Sequence, residues 1–397
     1  MSSNRIVIAS LARTPITKFG GSFKPLTAAQ LGARALRGAL DRLSDHDLPT
    51  VREVYMGNVV SAGLGQAPAR QAVKGAGLPD ATICTTINKV CASGMKSVML
   101  AAQTLQASDG DFAMIAGGME SMSNIPHYMM KSRTGQSLGN MTLTDGLVHD
   151  GLWDVYNDQH MGMCGEKCAK DYTFSREDQD AYAISSYERA RTAVEAGYFT
   201  DVVPVEVPMG RKGTVTIDKD EEPFSVDLER LPSLRPAFDR QTGTVTAANA
   251  SSLNDGAAAL VLMTEKEARA RGIPAVARLL GWGDAEQDPV DFTTTPSLAV
   301  PVALEHARLS LGDVEYHEIN EAFSVVALAN MHLMGLSHDR VNVMGGAVAL
   351  GHPIGMSGAR ILGTLLDVLR LNDATIGCAS ICNGGGGASA IVLERLT

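Results

Sequence analysis

The feature that most constrains this chain is an internal echo. Moved by 261 positions, Cys91 falls on His352, Gly94 on Gly355, Met95 on Met356, and the apolar run from Ile115 onto that from Ile376. Moved by 262, Glu53 falls on Glu315 and Asn58 on Asn320. Five of these positions carry the same residue in both halves, which implies a duplicated unit. In a duplicated fold, Cys91 and His352 occupy equivalent strand-to-helix corners, and a pseudo-twofold arrangement can carry both to one site.

Periodicity supplies the unit. Residues 5–11 read as a strand, 27–43 as an amphipathic helix, 51–60 as extended, 68–75 as the start of a helix and 112–118 as a buried strand. Strands alternating with helices of this length imply an α/β sheet with crossover connections. From Ser121 to about Gly243 the pattern turns irregular, with one clear helix at 176–196 and two charged, Pro-bearing stretches. Regular texture is expected to resume at Thr244, and 255–263 reads as a strand that rejoins the first sheet. The expected division is 1–120 completed by 244–272, an inserted segment at 121–243, and a second α/β unit at 273–397. Irregular insertions into α/β domains commonly serve as lids or binding loops.

A length of 397 residues calls for more than one simple core. The formal charge of −10 argues against a nucleic-acid surface, but not against a small anionic ligand held by local basic groups. Six scattered cysteines fit a reducing compartment, where thiols are catalytic, metal-binding or buried. No apolar run approaches the roughly 20 residues of a membrane helix. The polar start 1–4 and the end 394–397 carry no evident address, so a cytoplasmic protein is expected.

Five stretches could carry chemistry. In Asn88-Lys89-Val90-Cys91-Ala92-Ser93-Gly94, an apolar approach precedes a helix marked by Met95, Val98, Met99, Ala102 and Leu105. Cys91 at that helix N-terminus would be favoured as a thiolate; taken alone, it also fits a small core residue. Five glycines surround His352 between Gly345 and Arg360, allowing close backbone approach. Cys382-Asn383 leads into Gly384-Gly385-Gly386-Gly387, which lacks the acidic residue of a dinucleotide loop and reads better as bare N–H groups presented to an oxygen. Asn320, in His317-Glu318-Ile319-Asn320-Glu321-Ala322-Phe323, sits at a strand-to-helix junction and could equally be an N-cap. His160, Cys164 and Cys168 share one helical face, but no fourth zinc ligand is evident.

Three of these motifs, taken in order and with Gly351-His352-Pro353-Ile354-Gly355, resemble the thiolases over the whole chain, and within them the acetoacetyl-CoA branch. The resemblance implies a duplicated five-layered αβαβα fold with an inserted loop domain, assembled as a homotetramer of tight dimers. It implies reversible condensation of two acetyl-CoA to acetoacetyl-CoA and CoA, with CoA thioesters as substrates and no prosthetic group. Carried over by position, Cys91 would be the acetylated nucleophile and His352 its proton acceptor. Cys382 would be the base acting on the second acetyl-CoA, and Asn320 would hold a water in one oxyanion hole. The N–H groups of Cys91 and Gly384 would form the other. His160, Met161, Ala250, Ser251, Ala322 and Phe323 would line the acyl and pantetheine pocket. Tyr187, Ala247, Ala248, Ala250 and Val348 match a potassium site of some relatives. Arg211, Lys212, Lys219 and Arg230 are candidates for the nucleotide end on charge alone. The rival readings are a broad-range 3-ketoacyl-CoA thiolase and a non-catalytic scaffold subunit.

Overall fold

The structure, a computed structural model, describes residues 5–108 and 110–396, with Lys212 described by its backbone alone. The polar start 1–4 and Thr397 lie outside the described residues. The first half contributes β1 (Ile6–Arg13), β2 (Val51–Gly57), β3 (Ile83–Ile87), β4 (Ala113–Ser121) and β5 (Asn254–Thr264). The second contributes β6 (Ala277–Glu286), β7 (Tyr316–Ile319), β8 (Ile376–Asn383) and β9 (Gly387–Arg395). They lie in the order β7-β8-β9-β6-β1-β5-β4-β2-β3, with Thr17–Lys18 paired to β5.

Outward from the central β1–β6 pair, the halves have the same plan. β1-β5-β4-β2-β3 is answered by β6-β9-β8-β7, and then by Val341, bridged in parallel to His317. The sense of each pairing matches as well: antiparallel, antiparallel, then parallel. Even the register repeats, because Gly57 pairs Gly118 and, 262 residues on, Ile319 pairs Ser380. The echo in the sequence is therefore a duplication in space. β4, β5 and β8 are buried almost throughout, which their runs of Ala, Ile, Leu, Met and Val dictate.

The helices are α1 (Ala28–Asp41), α2 (Pro68–Gly75), α3 (Ser93–Gln106), α4 (Met161–Asp171), α5 (Arg176–Glu195), α6 (Glu265–Ala270), α7 (Pro296–Ala307), α8 (Ser324–Met334), α9 (Ala347–Leu350) and α10 (Ser357–Leu371). α3 and α10 pack on each other and on strands of both halves, forming the central layer. α1 and α2 cover the outer face of the first half and α7 that of the second, so five layers alternate helix and sheet.

The central crossing is a backbone contact. A Cβ on Gly94 would stand 3.0 Å from the Gly355 carbonyl oxygen, and one on Gly118 only 1.9 Å from it. Glycine is required where two backbones meet this closely. The two glycines matched by the repeat thus touch each other across the pseudo-twofold.

The irregular segment leaves β4 at Ser121 and returns at Asp255, and those two residues pair. At the equivalent place in the second half, Asn383 pairs Gly387 across the turn Gly384-Gly385-Gly386. The insertion therefore fills a position that its duplicate closes with three glycines. Residues 244–253, expected to resume the regular pattern, form turns instead. The cause is Asn249, whose Oδ1 accepts the Thr246 N–H at 2.7 Å and whose Nδ2 donates to the Thr244 carbonyl at 3.0 Å.

Candidate active site

Cys91 lies two residues before α3, in a turn that its own neighbours lock. Asn88 Oδ1 accepts the Val90 N–H at 2.9 Å, while Ser93 Oγ accepts the Lys89 N–H at 2.9 Å and donates to the Val90 carbonyl at 2.6 Å. Val90 has a φ of 47°, a left-handed conformation that a β-branched residue adopts only under constraint. Such a residue costs about 1–3 kcal/mol, and the surrounding bonds hold it there. The N–H groups of Gly384 and of Cys91 itself both point at the Cys91 sulfur.

The expectation of a resting thiolate fails. Burial pushes the Cys91 thiol up to about 11, and the Glu120 charge adds to this against the two N–H groups. Desolvation outweighs the helix terminus, so the neutral thiol is the resting form and a base must take its proton. Cys382, near the end of β8, is raised well above the ordinary thiol range by burial first and by neighbouring Cys91 second. Gly384, two residues on, stands with its Cβ position 3.6 Å from Val90 Cγ1, the residue before Cys91.

His352 sits in the loop between α9 and α10. Its N–H donates to Asn254 Oδ1 at 2.8 Å and its Nδ1 lies 2.6 Å from Ser357 Oγ. Nε2 is buried and has no partner among the described residues. Burial, with a smaller contribution from the Arg360 charge, lowers its pKa to about 3, so the ring is neutral and able to accept a proton. The meeting of α3 and α10 brings its corner beside that of Cys91.

Asn320 follows β7, and its N–H donates to the Ser380 carbonyl of β8 at 2.9 Å. It is not a helix cap, since the N-cap of α8 is Phe323. Both polar atoms of its amide are buried without a partner among the described residues. Unpaired buried amides are uncommon and normally mark ordered water or a ligand.

A wall of side chains closes this region, with His160, Met161 and Phe238 from the insertion and the rest from outside it. Met161 Cε and Val90 Cγ1 each approach the Gly384 Cβ position to 3.6 Å. His160 caps α4, its Nδ1 accepting the Gly162 N–H at 3.1 Å, and its ring stacks on Phe238 at 4.6 Å. Phe238 in turn meets Phe323 edge-on at 6.2 Å. Ala250 bridges Phe323, and the Ser251 hydroxyl donates to the Ala322 carbonyl at 2.9 Å. The six wall residues expected from the sequence are thus brought together. Phe238 and Ser357 were not singled out from the sequence, nor was Glu120. Phe238 had one signal, an aromatic residue following the Pro-bearing stretch.

Other candidates separate from the site. Cys164 and Cys168 face an apolar cluster that includes Cys382 and Phe323, burial holds both thiols up at about 11, and no group of three metal-ligating side chains occurs among the described residues. Arg211, Lys219 and Arg230 are exposed, and the side chain of Lys212 lies outside the described residues. Tyr187 is buried in one cluster with Ala248 and Val348, and its hydroxyl has no hydrogen-bond partner among the described residues. Of the other two expected positions, Ala250 packs in a different cluster and Ala247 is exposed; a tyrosine hydroxyl and backbone carbonyls would offer the oxygen ligands that a hard cation such as potassium takes.

Taken together, two thiols, a neutral imidazole, an unpaired amide and two converging N–H groups suit acyl transfer that passes through oxyanions. The comparisons with known proteins agree with that chemistry. Residues 6–266 match the family description "Thiolase, N-terminal domain" and residues 273–395 match "Thiolase, C-terminal domain". The chain is 56% identical to "Acetyl-CoA acetyltransferase 1" of Arabidopsis thaliana, over 99% of this chain and 94% of that protein. It is 52% identical to "Acetyl-CoA acetyltransferase ERG10, cytosolic" of Gibberella zeae, over 98% of each. Among solved structures it resembles the Acat5 thiolase of Ascaris suum in complex with coenzyme A, with a TM-score of 0.92 and 42% identity over 99% of this chain and 100% of that one.

Proposed function

The chain belongs to the thiolase family, and we propose that it catalyses the reversible condensation of two acetyl-CoA to acetoacetyl-CoA and CoA. The observation that carries this reading is the convergence of the Cys91 and Gly384 N–H groups on the Cys91 sulfur, beside a second buried thiol. Cys91 passes its proton to His352 Nε2 as its sulfur attacks the acetyl carbon. The bond to the CoA sulfur breaks, the departing thiolate takes the Cys382 proton, and His352 keeps its proton on Nε2. The resulting Cys382 thiolate then removes a methyl proton from the second acetyl-CoA. The enolate oxygen is held by the His352 Nε2–H and by a water on Asn320. The carbanion attacks the acetyl-Cys91 carbon, whose oxygen is held by the Cys91 and Gly384 N–H groups, and collapse frees the Cys91 thiolate, which recovers the proton held on His352 Nε2, while the methyl proton leaves Cys382 as its resting thiol. Two successive oxyanions and one carbon acid need two donor sets and a second acid/base, which is why two cysteines are present.

In this reading 121–243 is the CoA-binding insertion, flanked by the units 1–120 with 244–272 and 273–397. The Met161, Phe238 and Phe323 wall limits acyl length, Ser251 and Ala250 meet the pantetheine, and potassium binds at Tyr187, Ala247, Ala248, Ala250 and Val348. The assembly is a homotetramer, supported by the exposed apolar side chains of Met129, Met130, Leu138, Met141 and Leu143. The compartment is the cytosol, as in the name of the Gibberella zeae relative; among the described residues no helix is long and apolar enough to cross a membrane. Steady-state thiolysis across acyl lengths tests the substrate. Rates should fall steeply beyond acetoacetyl-CoA, whereas equal or better rates on long chains would favour the broad-range enzyme. Absence of turnover on any length would favour a scaffold.

A further inference from the structure

Ser357 opens α10 and is fully buried, five residues after His352. Among the described residues its Oγ makes two hydrogen-bond contacts: 2.6 Å to His352 Nδ1 and 3.0 Å to the Pro353 carbonyl oxygen. A carbonyl only accepts, so the hydroxyl proton of Ser357 goes to Pro353. The same oxygen must then accept from Nδ1, which therefore carries the ring proton of neutral His352. What remains is a bare lone pair on Nε2, the ring atom with no protein partner. The backbone holds the other end of the residue, through the His352 N–H on Asn254 Oδ1 at 2.8 Å. Asn254 Nδ2 is itself anchored to Glu222 Oε1 at 3.0 Å and to the Thr17 carbonyl at 3.1 Å.

We infer that Ser357 is a positioning residue that fixes the tautomer of His352, so that Nε2 is always the atom that receives the Cys91 proton. The inference rests on the reading of His352 as that proton acceptor. The choice of serine has a chemical consequence. A carboxylate behind the ring would stabilise the imidazolium and slow return of the proton. A neutral hydroxyl, whose own proton is committed to Pro353, orients the ring while leaving the imidazolium a strong acid. When the Cys91 thiolate is set free again, the proton moves from Nε2 back to its sulfur, Nδ1 keeps its hydrogen, and the Ser357–Pro353 bond is unchanged. The enzyme runs in both directions through the same tautomer, and no proton has to be relayed beyond the ring.

Nitrogen-15 NMR of histidine-labelled wild-type protein near neutral pH reads the tautomer directly. The expected result is a neutral His352 with its proton on Nδ1; a proton on Nε2 would overturn the inference without any variant. In Ser357→Ala, kcat for both acetylation and condensation should fall about 100-fold, the scale of general-base catalysis, with KM within about twofold. The proton should shift towards Nε2, and Ser357→Thr, which keeps the hydroxyl, should recover much of the rate. A folded Ser357→Ala with wild-type kcat would refute the role; if that variant does not fold, the wild-type spectrum and Ser357→Thr still decide. His352→Ala separates this inference from its premise. Wild-type turnover in His352→Ala would sink the premise, whereas an inactive His352→Ala beside a fully active Ser357→Ala would sink the tautomer role alone.

Discussion

The two copies of the duplicated corner end their strands in opposite ways. In the first half, Asn58 follows β2 and Glu120 lies near the end of β4; in the second, the equivalent positions are Asn320 and Cys382. Glu120 is heavily engaged: it accepts Asn58 Nδ2, the Val59 N–H and the Gly355 N–H at 2.9 Å each, and the Val60 N–H at 3.2 Å. All four partners donate, so the arrangement is that of a carboxylate, although burial pushes its pKa up to about 8. In the second half the matching groups are left open, with both Asn320 amide atoms unpaired and Cys382 a bare buried thiol. One framework thus serves as a clamp in one copy and as a reaction site in the other. The clamp holds Gly355, three residues from His352, so the structural corner positions the chemical one.

That contrast can be broken experimentally. Asn320→Ala removes an amide with no protein partner, so kcat should fall about 10²- to 10³-fold with thermal stability little changed. A large drop in Tm with kcat preserved would make Asn320 structural after all. Glu120→Ala should do the reverse: orphaning buried donors should cost about 3 kcal/mol in urea unfolding, while kcat of the folded fraction falls less than about tenfold. A variant as stable as wild type would remove the clamp from the account.

The smallest effect lies in pH. An unfolded histidine takes up a proton near pH 6.5, whereas burial holds His352 neutral down to about 3. Between those values the unfolded chain binds more protons, so His352 lowers stability as pH falls, by up to about 1.4 kcal/mol per unit. His352→Gln should therefore lose less stability than wild type between pH 6.5 and 4. Identical slopes would mean that the ring is not buried neutral.

Much of this was legible in the sequence, for identifiable reasons. The helix at 68–75 and the strand at 112–118 carry their periodicity locally, and the repeat located the two corners before any coordinates. The thiolate expectation for Cys91 failed because a helix terminus is a local signal, whereas desolvation depends on everything that folds over it. Glu120 and Ser357 were missed for the same kind of reason. Their partners come from loops that sequence periodicity does not connect, and a serine inside a glycine-rich run looks like any other. The 262-residue offset that matched Asn58 to Asn320 also sets Glu120 opposite Cys382, so the signal for Glu120 was present in the repeat itself.

The central claim is that two cysteines divide the reaction between them. The most direct test is mass spectrometry and product assay of Cys382→Ala after incubation with labelled acetyl-CoA. One acetyl group per chain, located on Cys91, with acetoacetyl-CoA formation reduced by about 10²-fold or more, is the predicted result. An acetyl group elsewhere, or condensation at the wild-type rate, would contradict it.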